Sequence, residues 1–180
     1  VSAVGFDMYL RRLDETVKRV ISGDTAPRLQ PADVTVDMPS YLPDDYVTSQ
    51  DAKLDIYRRL THMVDPAEIE ALRAEVRDRF GPVPAPAETF FAVAMLRVLG
   101  GSAQIESMLL RGNEARITFG EHAVPRMKGI SAAFHEVQFQ AEVRRAHPLS
   151  LKLTRLGGAE LLDGLVRALA TLRGRGSSSG

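Results

Sequence analysis

The chain has 180 residues, of which 44% are hydrophobic and 26% charged, a balance that suits a soluble globular domain able to bury a real core rather than a disordered chain. Lys plus Arg and Asp plus Glu each number 23, so the formal net charge is zero and the chain as a whole lacks the basic excess of a dedicated nucleic-acid or membrane-surface binder. The absence of cysteine excludes disulfides, zinc fingers, thiol catalysis and iron–sulfur clusters and fits a reducing compartment, while no apolar run approaches the ~18 residues of a membrane-spanning helix.

The opening residues Val1-Ser2-Ala3-Val4 have no basic n-region and no initiating Met, so the expectation is a piece of a longer chain rather than a signal peptide. From Val4 to Ser22 the apolar residues Phe6, Tyr9, Leu10, Leu13, Val17 and Ile21 recur at spacings of three and four, which predicts an amphipathic helix. Gly23 ends it, and Pro27 and Pro31 mark a linker over 23–32. Residues 1–22 therefore read as a helical arm, 33–173 as the main domain and 174–180, with three serines and no core residue, as a disordered tail.

In the main domain, Val34 to Asp37 alternates like a short strand, and the stretch from Met38 to Tyr46 holds two prolines and reads as an extended loop pinned to the core by its Tyr and Leu side chains. Helices are expected from Asp51 to Val64, from Asp65 to Phe80 and from Pro86 to Leu99. Asp65 serves the second as N-cap, Pro66 takes its first position and Glu68 completes a capping box. Ile69, Leu72, Val76 and Phe80 form its apolar stripe. The third helix is apolar around almost its whole circumference, the pattern of a central core helix, and Gly100-Gly101 are expected to terminate it. The period then changes to two. Strands are expected over 105–110 and 115–119 around a turn at Arg111-Gly112-Asn113-Glu114, then a short helix over 124–134, strands over 137–143 and 149–153, and a last helix over 159–172. Helices in the first half and hairpins in the second predict an α+β fold, with helices packed on a small, mainly antiparallel sheet.

Motifs for catalysis are missing. No Gly-x4-Gly-Lys-Ser/Thr loop is present to cradle phosphates, and Gly100-Gly101-Ser102 and Gly157-Gly158 read as a helix end and a turn. His62, His122, His135 and His147 are too far apart in sequence to form a metal motif, and Asp44-Asp45 reads as a solvated turn rather than a metal or acid–base pair. No nucleophile elbow occurs. No catalytic, cofactor-binding or metal-binding residue is assigned, and no cofactor is expected.

Charge is uneven along the chain: residues 1–91 carry a net −5 and residues 92–180 a net +5. The basic half includes Arg126, Lys128, Arg144, Arg145, Lys152 and Arg155, without Tyr or Trp between them to stack bases, so these read as solvated faces, with an accessory nucleic-acid-binding role as the alternative. On the helix from Asp65, turning about 100° per residue places Glu68, Ala71, Glu75 and Asp78 in a strip beside the apolar stripe. That strip is either a solvated face or a docking surface for arginines on a partner.

Three segments resemble the C-terminal part of the bacterial transcription-repair coupling factor family. They are Val4 to Tyr9 with Leu13 to Val17, then Leu42-Pro43-Asp44-Asp45-Tyr46-Val47 with Tyr57-Arg58-Arg59-Leu60, then Glu75 to Pro84. The resemblance covers roughly residues 4–100; from 101 to 173 only the pattern agrees. It implies a non-catalytic, autoinhibitory interaction domain whose parent is an ATP- and magnesium-dependent DNA translocase of the bacterial cytoplasm. Such a parent binds DNA, displaces stalled RNA polymerase and recruits UvrA of nucleotide excision repair. The implied partner of the domain is the parent's own UvrB-like N-terminal module, whose UvrA-binding surface it masks; the fragment itself is expected to be a monomer without membrane contact. Residues 1–22 would close the translocase module, and Glu68, Glu75 and Asp78 would be the partner-binding residues.

Overall fold

A computed structural model describes residues 30–123, 125–145, 148–156 and 160–177. The expected arm, the linker before Gln30, and His147, Gly157 and Gly158 lie outside the described residues. The chain runs β1 (Asp33–Val36), α1 (Gln50–His62), α2 (Pro66–Phe80), α3 (Ala85–Ser102), β2 (Ile105–Arg111), β3 (Glu114–Phe119), α4 (Met127–Glu136), β4 (Phe139–Arg144), β5 (Ser150–Arg155) and α5 (Leu161–Ser177). The strands form one sheet in the order β1-β2-β3-β5-β4. β1 is parallel to β2 and the other three pairings are antiparallel, which is the expected α+β class.

Strand alternation decides which face of the sheet is covered. Val34, Met108, Leu110, Ala115, Ile117, Leu151 and Leu153 share a core with Val93, Leu96 and Leu99 of α3, Phe134 of α4 and Leu165 and Leu169 of α5. The intervening Thr35, Leu109, Arg116 and Glu142 are exposed, so the helices cover one face and, among the described residues, the other is bare. A second core lies among the helices of the first half: Leu42, Val47, Ile56, Leu60, Ile69, Leu72, Val76, Ala87, Phe91, Ala94 and Val98. α3 belongs to both. At about 100° per residue, Ala87, Phe91, Ala94 and Val98 fall on one side and Val93, Leu96 and Leu99 on the opposite side. That explains the all-round apolar sequence of α3.

Several boundaries differ from expectation for physical reasons. Gly100 and Gly101 do not end α3; both are buried inside its last turn. A Cβ on Gly100 would stand 2.4 Å from the Met108 Cε and 2.9 Å from the Ala32 Cβ, and one on Gly101 only 2.5 Å from the Gln30 carbonyl oxygen. These glycines let the chain entering β1 pass close to the helix, where the Ala32 amide donates to the Arg97 carbonyl at 2.9 Å. Val137 caps α4 rather than opening β4: its amide donates to the Phe134 carbonyl, and Gln138, at φ 65°, turns the chain before Phe139 begins the strand. The expected tail from 174 is corrected likewise, since α5 runs to Ser177, with Arg175 donating to Glu136 at 3.0 Å and Arg173 lying 3.9 Å from Asp65. The β2–β3 turn is tighter than expected, just Gly112-Asn113, with Gly112 at φ 57° and its amide donating to Asp37 at 2.9 Å.

In the loop before α1, Leu42 and Val47 are buried and the Tyr46 hydroxyl donates to the Gly81 carbonyl at 2.7 Å, which ties the loop to the end of α2. Tyr41, in contrast, stays 45% exposed.

Candidate functional site

Helix α2 is built as its sequence dictates. The Asp65 side chain accepts from the Ala67 amide at 2.9 Å, Pro66 occupies the first turn, and Ile69, Leu72 and Val76 face the helical core. Gly81, at φ 92°, ends the helix before Pro82. The helix is clasped on both flanks. Toward α1, the Arg59 guanidinium forks onto Glu75, with Nη1 to Oε2 at 2.5 Å and Nη2 to Oε1 at 3.1 Å. Toward α3, Arg73 forks onto Glu88 at 2.8 and 2.5 Å and also reaches Glu70 at 3.5 Å. Two bidentate pairs of this kind fix the helix by direction as well as by charge.

The expected acidic strip divides on this frame. Glu75 lies on the flank nearest α1 and is 40% exposed. Hydrogen bonding from Arg59 holds its carboxyl below the usual range, against the opposing effect of burial and aided by the charges of Arg59 and Arg79. Arg59 is correspondingly raised, first by the hydrogen bond to Glu75. Arg79 comes within 3.9 Å of Glu75, and its guanidinium stands 4.9 Å from the Phe80 ring centre. Glu68 and Asp78 are exposed and make no ion pair among the described residues. Asp78 sits about 60° farther around the helix than Glu75, which takes it away from α1.

Beside Glu75 an open groove of ≈ 470 Å³ runs between α1 and α2, lined by Arg59, His62, Met63, Glu68, Ala71, Leu72 and Glu75. It has an apolar floor and two carboxylates on one lip. Val64, at the joint between the two helices, is 73% exposed. Sequence reasoning placed Glu68, Glu75 and Asp78 together but missed Arg59. The Asp55–Arg59 spacing of four was visible, but the reach from Arg59 to Glu75 depends on how α1 and α2 lie against each other.

Elsewhere, Asp44 pairs with Lys53, whose side chain is largely buried, and Asp45 is exposed. His62 lines the groove, while His122 and His135 lie apart on the surface. Among the described residues, no three His, Asp or Glu side chains gather as a metal site, and no helix is long and apolar enough to cross a membrane. Arg126 and Lys128 are exposed at the start of α4, and Arg144 and Arg145 at the end of β4. On the bare sheet face, Lys152 pairs with Glu114 at 3.5 Å and is in register with Glu142. Arg155 is half-buried at the end of β5.

Comparison with known proteins adds to this geometry. The profile of the TRCF domain matches residues 36–130. The transcription-repair-coupling factor of Mycobacterium tuberculosis is 30% identical over 97% of this chain and 16% of its own length. That of Bacillus subtilis is 30% identical over 72% of the chain and 11% of its own length, and that of Escherichia coli 33% identical over 63% and 10%. The chain thus spans a small part of the relatives it matches. The fold is similar to a crystal structure of the C-terminal domain of transcription-repair coupling factor, with a TM-score of 0.71 and 18% identity, covering 84% of this chain and 98% of the other.

Proposed function

Because this chain belongs to the TRCF domain family, we propose that it is the regulatory C-terminal region of a transcription-repair coupling factor and works as a non-catalytic, autoinhibitory docking domain. In this reading the outer side of α2 docks on the factor's own UvrB-like N-terminal module and masks the surface that receives UvrA. ATP hydrolysis, DNA translocation and displacement of stalled RNA polymerase belong to other parts of the same bacterial cytoplasmic protein. The chain itself takes no cofactor, and residues 1–22 close the motor module.

One observation carries the proposal. α2 is held against α3 by the Arg73–Glu88 fork, and its outer side presents Glu68 and Asp78 without ion-pair partners among the described residues, beside an open groove. Exposed carboxylates on a rigid helix lose little entropy when they meet arginines, and charge complementarity selects the partner. The bare sheet face supports the nucleic-acid alternative less well, since Asp33, Glu114 and Glu142 are interspersed among its basic residues.

The test is UvrA capture by the full-length factor. Glu68→Lys with Asp78→Lys leaves both forks in place, so the domain should melt as the wild type does while the factor captures more UvrA. Equal capture by two well-folded proteins would overturn the proposal.

A further inference from the structure

We infer that Arg59 is a displaceable place-holder on Glu75, standing where a guanidinium of the docking partner goes, and that Asp55 receives Arg59 when it is displaced. The inference rests on the docking reading above and names a regulation of that site. It starts from four charges of alternating sign linked by successive contacts: Asp55, Arg59, Glu75 and Arg79. Arg59 forks onto Glu75 at 2.5 and 3.1 Å, and the same Nη1 lies 3.9 Å from Asp55, one turn earlier on α1. Arg79 approaches the same Glu75 oxygen, Oε2, at 3.9 Å.

The fork occupies both oxygens of Glu75 and cancels its charge toward an approaching cation. The groove beside it has an apolar floor, from Met63, Ala71 and Leu72, and a second carboxylate, Glu68. An incoming arginine can lay its aliphatic stem on that floor while its head takes Glu75. Arg59 is 38% exposed, and its shift to Asp55 is a change of side-chain torsion within solvent's reach. Every charge is paired before and after, so the exchange leaves no ion stranded. Its consequence is a contact weaker and more reversible than its carboxylates alone would give, which suits a clamp that has to open.

The experiment titrates the chain with the isolated UvrB-like module, using the wild type, Arg59→Met and Arg59→Lys. Arg59→Met keeps the aliphatic length and removes the competitor, so docking should tighten about two- to fivefold, the affinity equivalent of one half-exposed ion pair. Arg59→Lys keeps the charge without the fork and should fall between. In the wild type, the Nη–H signals of Arg59, slowed by the fork in the free chain, should change on docking, as those of a guanidinium that has left Glu75. Unchanged or weaker docking by a folded Arg59→Met, or Arg59 signals that stay as they were, would overturn the exchange while leaving the docking proposal standing. No docking by any of the three would overturn both.

Discussion

The helical lobe and the sheet lobe hold themselves together differently. Around the sheet, order comes from burial: Phe119, Phe134 and Phe139 are almost fully enclosed, and the one ion pair described on its bare face, Lys152–Glu114, is a single 3.5 Å contact between half-exposed groups. In the helical lobe a core of mostly aliphatic residues is supplemented by directed forks, Arg59–Glu75 and Arg73–Glu88, which fix how α2 lies against its neighbours. The difference bears on function. A buried stripe tolerates rotation of a helix by some degrees, whereas a bidentate pair does not, and the Arg73–Glu88 fork sets the orientation of α2 for docking. α3 joins the two, with one side in each core.

The largest expected effect tests whether that shared helix makes the lobes one cooperative unit. Phe91 is almost fully buried in the helical core and stacks edge-on with Phe90 at 5.4 Å. Phe91→Ala should cost about 3–5 kcal/mol, from lost transfer free energy plus the cavity left behind. It should lower a single melting transition rather than split it, because α3 cannot lose its packing in one lobe and keep it in the other. Thermal melts followed by far-ultraviolet circular dichroism and by calorimetry check this; two separated transitions would show that the lobes are independent.

Burial of this kind was readable in the sequence. The stripes of α1, α2 and α5 and the two hairpins follow from spacing, and the all-round apolar sequence of α3 announced a central helix. What spacing could not show was set by approach between distant segments. Gly100-Gly101 read as a stop signal because glycine usually ends helices, and only the passage of Gln30 to Ala32 beside α3 shows why both sit inside one. Glu75 read as a free carboxylate because nothing local reveals that Arg59 faces it. Of the three residues expected to bind a partner, Glu68 and Asp78 are open to solvent as expected, and Glu75 is already engaged.

A smaller effect is expected where the chain enters the sheet lobe. Gly101→Ala places a Cβ 2.5 Å from the Gln30 carbonyl oxygen and 3.1 Å from the Pro31 Cα, both backbone, so the entering segment has to move. The cost should be about 1–3 kcal/mol, which is a fall of roughly 2–12 °C in melting temperature for a domain of this size. Hydrogen exchange should locate the loss at the Ala32 amide, which bonds to Arg97, and in β1 rather than in α1 or α2. A loss of protection centred on α1 and α2 would mean that this seat belongs to the helical lobe.

The smallest effect compares the two kinds of ion pair directly. Arg59 holds the Glu75 carboxyl below its ordinary value in the folded chain, chiefly through the hydrogen bonds of the fork. A carboxyl depressed on folding binds fewer protons folded than unfolded. Its contribution is therefore present in full above the unfolded value, about 4.5, and is lost as pH falls through the folded value. The Glu75 side chain is 40% exposed, so solvent screening keeps the pair to about 0.2–1 kcal/mol, or roughly 0.5–4 °C. Glu75→Gln should accordingly melt below the wild type at pH 7, and the gap should narrow as the pH is lowered from 5 to 3. Glu114→Gln on the sheet face removes a longer, single contact and should open a smaller gap at pH 7. A Glu75→Gln gap that stays the same at pH 3 would assign the loss to packing rather than charge. Gaps of equal size for the two variants would remove the distinction between a fork that aims a helix and a pair that merely decorates a sheet.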